Sequence, residues 1–318
     1  MGVYNGTEFV RDAVESILNQ TYTNFEFVIF EDCSTDDTLQ ILRSYNDDRI
    51  KIVCNEVNLG LTSCLNLGIQ HATGKYIARL DADDIALPTR LEEQITFLEA
   101  NPSVGLCGSW AVELGNPQHV FTFQVDHKHL SAFLLVDNVM FHSSATLRTK
   151  VLKDNGMLFR KEYKYAQDYD LWERMSEVTE LAVIPKVLLE YRFTSNQTSV
   201  VWNSEQVIEA DLVRVRGFEK LIGRKLDDTE QNIVGKRNTG KSSLRESVRF
   251  CNHVLQVNRK YDPAALRLAM KKIFLRNLHG RQAKAKTRDL IAVADARFLS
   301  LREKASLLWK GLTPKSFL

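Results

Sequence analysis

Three carboxylates fall within four residues of the stretch ARLDADDI, residues 78–85. One Asp is a good helix cap, but like charges at this spacing repel one another. A divalent cation such as Mg²⁺ or Mn²⁺ removes the conflict, because it takes oxygen ligands and commonly joins one or two carboxylates to substrate phosphates. Asp81, Asp83 and Asp84 therefore predict a site for a metal and a diphosphate, with helix capping and surface charge as the alternative.

A further acid, Asp168, lies just before the helical pattern YDLWERM of residues 169–175. A neutral hydroxyl is a poor nucleophile and needs a base within hydrogen-bond reach, a role that a carboxylate fills. A nucleoside diphosphate leaves readily only when its charge is neutralised. One base for the hydroxyl and one acid cluster for the diphosphate are together the minimal set of groups for transfer from a nucleoside diphosphate to a hydroxyl. From the residues alone, a helix-dipole role for Asp168 explains it equally well.

The elements that would position these acids alternate between strand and helix patterns. The predicted elements are, in order, strand 25–32, helix 35–46, strand 49–55, helix 61–72, strand 75–81 and helix 87–101. This alternation implies a parallel sheet covered by helices, and ligands bind at the carboxyl ends of such strands. Asp32 and the cluster at 81–84 both follow strands, so we expect them at one binding edge. Short strands and one helix are expected over 103–200, and helices beyond 203.

The composition is that of an ordinary globular protein, with 44% hydrophobic and 26% charged residues in a chain of 318. Five scattered cysteines without a CxxC pair argue against a disulfide framework and a zinc site, and favour a reducing compartment. We find neither a signal peptide nor an apolar run long enough to span a bilayer. The expected location is therefore cytoplasmic, or peripheral at the cytoplasmic face of the membrane.

Charge is distributed unevenly along the chain. Residues 201–318 contain 25 Lys and Arg against 12 Asp and Glu, whereas residues 1–200 have a net charge of −11. Segments 264–280 and 296–312 have apolar residues at helical spacing with basic residues between them, a pattern that suits an anionic membrane surface. Packing on the catalytic domain with a solvated basic face is an equal alternative. The sequence has no recognised nucleic-acid-binding motif, so no nucleic-acid partner is expected.

The segment GKRNTGKS, residues 235–242, matches the P-loop pattern. A P-loop needs a buried strand before it, and the preceding TEQNIV has few apolar residues. We expect a loop between helices here, not a nucleotide-hydrolysing site.

Six segments together resemble the family 2 glycosyltransferases, which have the GT-A fold. They are VYNGTEFVRDAVESILNQTYTNFEFVIFEDCSTDDT (3–38), NLGLTSCLNLGIQHATGKYIARLDADD (58–84), LPTRLEEQ (87–94), FHSS (141–144), AQDYDLWERM (166–175) and YRFTSNQTS (191–199). The resemblance implies an α/β fold with a Rossmann-like, mostly parallel sheet flanked by helices. The expected domains are a catalytic domain at 1–202 and a basic helical extension at 203–318.

The resemblance also assigns roles to individual residues. The residues implied to bind the nucleotide sugar are Tyr4, Asn5, Asp32, Asn58, Asp81, Asp83 and Asp84. Asp32 matches the residue that contacts the nucleotide base, and Asp83 the residue that contacts the metal and diphosphate. Asp168 matches the general base, while His142 and Trp172 are placed on the acceptor side.

The implied reaction is a single displacement that inverts the anomeric carbon. The donor would be a nucleotide sugar, with a UDP-sugar expected, and the cofactor Mn²⁺ or Mg²⁺. The sugar would be a hexose or N-acetylhexosamine, and the acceptor a glycan or a lipid-linked molecule in cell-surface polysaccharide or glycolipid synthesis.

The sequence departs from the family pattern at its start and near residue 194. The chain begins MGVYNG, with Gly2 in place of a Pro, so little of the first strand is expected. Thr194 stands where a His often follows the YR pair. These departures keep a second hypothesis open, a catalytically impaired relative that acts as a membrane-associated binding or scaffold protein.

Overall fold

The computed structural model describes residues 1–194, 197–236, 243–279 and 292–309, and has the expected α/β fold. The strands are β1 Gly2–Val3, β2 Phe27–Glu31, β3 Ile50–Cys54, β4 Tyr76–Ala78, β5 Ile85–Ala86, β6 Val104–Glu113, β7 Asn116–Phe121, β8 Thr146–Arg148 and β9 Glu180–Tyr191. The helices are α1 Val10–Leu18, α2 Thr38–Arg43, α3 Leu61–His71, α4 Arg90–Ala100, α5 His127–Phe133, α6 Thr149–Asp154, α7 Gln167–Met175, α8 Thr198–Val201, α9 Asn203–Ile222, α10 Asp228–Val234, α11 Leu244–Val257, α12 Pro263–His279 and α13 Leu301–Trp309. Positions 237–242 of the P-loop-like segment lie outside the described residues, as do positions 280 and 310–312 of the two basic segments.

The first sheet is parallel, as the alternation of strands and helices predicts. Its order is β1-β2-β3, with Ile29 of β2 opposite Ile52 of β3. The first strand is short, as expected, because only Gly2 and Val3 pair with β2. Helix α1 covers this sheet with an apolar stripe in which Val10 and Val14 are fully buried, one helical turn apart.

The second sheet is mixed, which differs from the expected parallel continuation. Its order is β4-β8-β6-β9-β5, with β7 paired to β6. The long strands β6 and β9 are parallel, but β4 pairs antiparallel with β8 through Ile77 and Leu147. The partner of β4 thus lies about seventy residues away in sequence, and local periodicity does not identify so distant a partner. Residues 79–84 follow β4 directly, so this pairing fixes where the acid cluster begins.

The chain divides into two compact units. One contains residues 1–130 and 138–203, and the other contains residues 131–137 and 204–318. The predicted boundary between 202 and 203 lies one residue before this division. In the second unit, Phe218, Val254 and Phe274 belong to one buried apolar cluster. None of the helices in the described part of the chain combines the length and apolar character that membrane crossing requires.

Candidate active site

The loops that follow β1 and β2 are joined by hydrogen bonds. Asn5 adopts a left-handed backbone conformation with φ of 50°, and its Oδ1 accepts from the backbone N–H of Thr35 (2.8 Å). The backbone N–H of Asn5 donates in return to Ser34 Oγ (3.0 Å). Tyr4, the neighbour of Asn5, is exposed, and so is Asn58 in the loop after β3. These loops lie at the carboxyl edge of the first sheet, where ligands of open α/β sheets bind.

Asp32 is buried and holds the start of α3. Its carboxylate accepts from the backbone N–H groups of Leu59 (2.8 Å) and Gly60 (2.9 Å) and from Asn55 Nδ2 (2.7 Å). A carboxylate has about four acceptor positions, so three are already used. Asp32 therefore has a clear structural role, and its predicted contact with a nucleotide base stays a prediction.

Asp81 is paired with a buried guanidinium and a hydroxyl. Arg79 forms an ion pair with Asp81, and Ser143 Oγ donates to Asp81 Oδ2 (2.7 Å). Burial opposes ionisation of Asp81, but the Arg79 charge and the hydrogen bonds lower its pKa to about 2. Asp81 is thus a carboxylate whose charge is compensated by the protein.

Asp83 and Asp84 lack such compensation. Burial and the charge of Asp81 raise the pKa of Asp83 to about 6 and that of Asp84 to about 8. Asp84 Oδ2 is buried and has no hydrogen-bond partner within the described residues. The backbone N–H of Arg192 donates to Asp84 Oδ1 (2.9 Å), and Arg192 Nε donates to the carbonyl oxygen of Asp83 (2.7 Å). Arg192 therefore fixes the backbone of residues 79–84, which we call the acid loop. Both carboxylates keep oxygen positions that can accept further bonds.

These two carboxylates suit a divalent cation. Burial, and after it the charge of Asp81, raises both pKa values, and a cation would favour the ionised form of both carboxyl groups. Carboxylate oxygens are also the ligands that Mg²⁺ prefers. No group of three or more His, Cys, Asp and Glu that would hold a metal occurs in the described part of the chain.

Helix α4 supports the acid loop from behind through buried polar groups. Arg90 Nη2 donates to the carbonyl oxygen of Arg79 (2.6 Å), and Arg90 Nε donates to Gln94 Oε1 (3.1 Å). Gln94 Nε2 donates to the carbonyl oxygen of Ser144 (2.7 Å). Both side chains belong to the LPTRLEEQ segment, so this motif contributes to positioning the loop.

Asp168 lies in the first turn of α7. Its Oδ2 accepts from Asn138 Nδ2 (2.7 Å), and its Oδ1 accepts from the backbone N–H of Tyr169 (2.7 Å). Burial raises the pKa of Asp168, and these hydrogen bonds together with the Arg79 charge oppose that rise. The charges of Arg79 and Asp81 both act on Asp168, which places the candidate base near the acid loop.

The contact between His142 and Trp172 joins the segment beside the acid loop to α7, of which Trp172 is part. His142 precedes Ser143 in the sequence. Its ring packs edge-on against the Trp172 ring, with centroids 5.9 Å apart. Trp172 is 0% exposed, so it has no surface for an acceptor in this conformation. Burial lowers the pKa of His142 well below its usual value, so the ring is neutral. His142 Nε2 and Trp172 Nε1 are buried without hydrogen-bond partners among the described residues.

Four residues of this site were not singled out from the sequence. Arg79, Ser143 and Arg192 lie inside quoted motifs, and their ability to pair with the nearby acids was the available signal. Asn138 lies in none of the motifs, and only its contact with Asp168 reveals it.

Comparisons with known proteins identify the family of this chain. The model for glycosyl transferase family 2 matches residues 1–154. An uncharacterized glycosyltransferase of Haemophilus influenzae is 35% identical over 216 residues, covering 64% of this chain and 67% of that protein.

Two solved structures share the fold at low sequence identity. Residues 1–349 of TarS from S. aureus, in complex with UDP-GlcNAc, match with a TM-score of 0.59 and 18% identity over 88% of this chain and 90% of that one. The mannosyltransferase PcManGT from Pyrobaculum calidifontis, in complex with GDP-Man and Mn²⁺, matches with a TM-score of 0.53 and 20% identity over 98% and 77%. The chain therefore belongs to glycosyl transferase family 2 and has the GT-A fold.

Proposed function

We propose that this protein is an inverting glycosyltransferase that moves a sugar from a nucleotide-diphosphate donor to an acceptor hydroxyl. The observation that carries the proposal is the proximity of two kinds of acid. Burial and the charge of Asp81 raise the pKa values of Asp83 and Asp84. Asp168 lies one helical turn before Trp172 on α7, and Trp172 packs on His142, the neighbour of the Ser143 that bonds Asp81. A metal–diphosphate site beside a single half-buried carboxylate is the minimal set for this reaction.

Asp83 is the residue that we assign to Mn²⁺ or Mg²⁺, with Asp84 beside it. The bound cation would neutralise charge on the departing diphosphate. Arg192 holds the Asp83 backbone, so the carboxylate is positioned before the donor binds. Tyr4, Asn5, Asp32 and Asn58 are assigned to the nucleotide end.

Asp168 acts as the general base in this proposal. Asn138 Nδ2 holds one carboxylate oxygen and the Tyr169 N–H holds the other, so the group is oriented in advance. Burial raises the pKa of Asp168, which makes it a stronger base than an exposed Asp. It would remove the proton of the acceptor hydroxyl as the oxygen attacks the anomeric carbon from the face opposite the diphosphate.

We further propose a UDP-sugar donor carrying a hexose or N-acetylhexosamine. The family resemblance assigns Asp32 to the nucleotide base, and a carboxylate can accept from an N–H at the edge of a base such as uracil. TarS, which shares the fold, is known in complex with UDP-GlcNAc. The acceptor would be a glycan or lipid-linked molecule in cell-surface polysaccharide synthesis, reached from the cytoplasm or the cytoplasmic face of the membrane.

Calorimetric titration of UDP with and without Mn²⁺ tests the donor site. We expect binding that depends on Mn²⁺ in the wild type and is abolished in Asp83→Asn. Asp47→Asn is a matched control, because Asp47 pairs with Arg49 on the surface away from the acid loop. Equal UDP binding with and without the metal, or full binding by Asp83→Asn, would contradict the assignment.

A further inference from the structure

A stacked aromatic pair lies on the surface of the first unit, and one of its members, Tyr165, comes just before the candidate base in the chain. The rings of Tyr165 and Trp202 are nearly parallel, with centroids 5.4 Å apart and an interplanar angle of 17°. Lys164 Nζ lies 5.1 Å from the Tyr165 centroid and 5.9 Å from the Trp202 centroid. Trp202 is 45% exposed, so much of its surface faces solvent although the ring is packed against Tyr165.

We propose that this pair, the 165/202 platform, is an acceptor subsite that binds a sugar ring of a glycan acceptor. The proposal rests on the proposed glycosyltransferase function and narrows its acceptor to a carbohydrate. The C–H face of a pyranose packs well on an aromatic face, and Trp combines a large apolar ring with a polar N–H that can bond a hydroxyl group. Lys164 adds a hydrogen-bond donor for hydroxyl groups at the edge of the rings.

The position of the platform favours an acceptor over other ligands. Tyr165 precedes Asp168 by three residues, so their Cα atoms are at most about 11 Å apart. A sugar on the platform would therefore lie within short reach of the base that activates an acceptor hydroxyl. The groups assigned to the donor lie instead on the loops after β1, β2, β3 and β4.

The loop that carries Tyr165 is fixed at both ends, so the platform is preorganised. At one end, Asn66 Nδ2 donates to the Phe159 carbonyl oxygen and the Phe159 N–H donates to Asn66 Oδ1, both at 2.8 Å. At the other end, the Asp170 N–H donates to the Ala166 carbonyl oxygen (3.0 Å) as α7 begins. A rigid aromatic surface loses little conformational entropy when a ligand binds.

A membrane surface is the competing occupant, because Val200 and Val201 are also exposed beside Trp202. The stacking favours the sugar. A Trp that inserts into the lipid interface presents its ring to the lipid, whereas Trp202 has one ring face against Tyr165 and a Lys ammonium beside it. The arrangement resembles a flat shelf for a ring, not a projecting anchor.

Saturation-transfer NMR with methyl glycosides of glucose, galactose, mannose and N-acetylglucosamine tests the subsite without requiring turnover. We expect the wild type to bind at least one of the four. Trp202→Ala should weaken that binding about tenfold or more, while Trp202→Phe should retain most of it. Val201→Ala is the matched control, because it removes exposed apolar surface next to Trp202 without touching the stack.

Each outcome decides for or against the platform. Absence of binding by all four glycosides, or equal binding by Trp202→Ala, overturns the proposal. A loss in Val201→Ala as large as that in Trp202→Ala also overturns it, since the effect would then be local disruption. Loss of sedimentation with phosphatidylglycerol vesicles in Trp202→Ala, with glycoside binding unchanged, would assign the patch to a membrane. UDP titration of the same variants reports on the donor site separately, so its failure would count against the proposed function and not the platform.

Discussion

At the scale of single residues, two effects on the pKa of Asp168 oppose each other. Its burial is one, and its two hydrogen bonds are the other. Burial raises the pKa, whereas the bond from Asn138 favours the charged form and lowers it. Only the ionised carboxylate accepts a proton, so activity requires a pH above this raised value. The balance between the two effects sets where the acid limb of the pH profile lies.

The pH dependence of kcat/KM should show this balance. We expect the acid limb to lie above the ordinary pKa of Asp, about 4, and to move to higher pH in Asn138→Ala. The shift is upward because the variant loses a donor to the charged form. Asn101→Ala is the control, because its amide donates to the Phe97 carbonyl oxygen at the end of α4. An unmoved or lowered limb in Asn138→Ala would contradict the role of Asp168 as the base.

Arg192 controls the acid loop through its backbone and its side chain. Its backbone N–H to Asp84 survives substitution, but the bonds from Nε to the Asp83 carbonyl oxygen and from Nη2 to Asp12 do not. We expect Arg192→Ala to weaken binding of UDP with Mn²⁺ about tenfold, because the loop must then be ordered by the ligand. Calorimetry on Lys186→Ala, which removes an exposed partner of Glu93, gives the control. Unchanged affinity in Arg192→Ala would mean that the loop is ordered without this side chain.

At the scale of elements, local periodicity predicts the first sheet well and the second only in part. The predicted strands 25–32 and 49–55 contain the observed strands β2 and β3. The helix predicted between them is also present, as α2. The pairing of β4 with β8 was not predictable in this way, because it joins Tyr76 to Arg148 and no helix connects the two strands directly. Sequence periodicity identifies elements, but the choice of a distant partner depends on tertiary packing.

Helix α4 makes a testable contribution to the stability of the first unit. Gln94 is fully buried and bonds Arg90, Ser144 and Thr146 at once. In Gln94→Leu these groups lose partners, so we expect the free energy of unfolding to fall by about 2–3 kcal/mol. Scanning calorimetry should show a lowered midpoint, whereas Glu93→Ala, which breaks the exposed pair with Lys186, should change stability by less than about 1 kcal/mol. A midpoint equal to that of the wild type in Gln94→Leu would show that the network adds little.

At the scale of the whole molecule, the sequence located the acids but not the groups that tune them. Asp81 and Asp83 were identified because they follow a predicted strand, whereas Asp168 was assigned as the base through the family resemblance. The sequence did not separate the paired Asp81 from the uncompensated Asp83, since that difference arises from Arg79 and Ser143. It also did not reveal that Trp172 is buried, because burial of one aromatic side chain depends on packing between elements.

The charge distribution gives the last prediction, which concerns the basic region. Residues 231–318 contain 20 Lys and Arg against 5 Asp and Glu, while residues 1–200 are acidic. An enzyme with a lipid-linked acceptor would use such a region at an anionic surface, where each basic residue near the surface contributes about 1 kcal/mol. We expect sedimentation with vesicles that contain phosphatidylglycerol, a loss of sedimentation at about 1 M salt, and none with pure phosphatidylcholine. Because screening acts on charge and not on apolar burial, binding that persists at high salt or occurs equally on neutral vesicles would contradict this electrostatic role. In that case the basic faces of α11 and α12 would serve only to keep the second unit solvated.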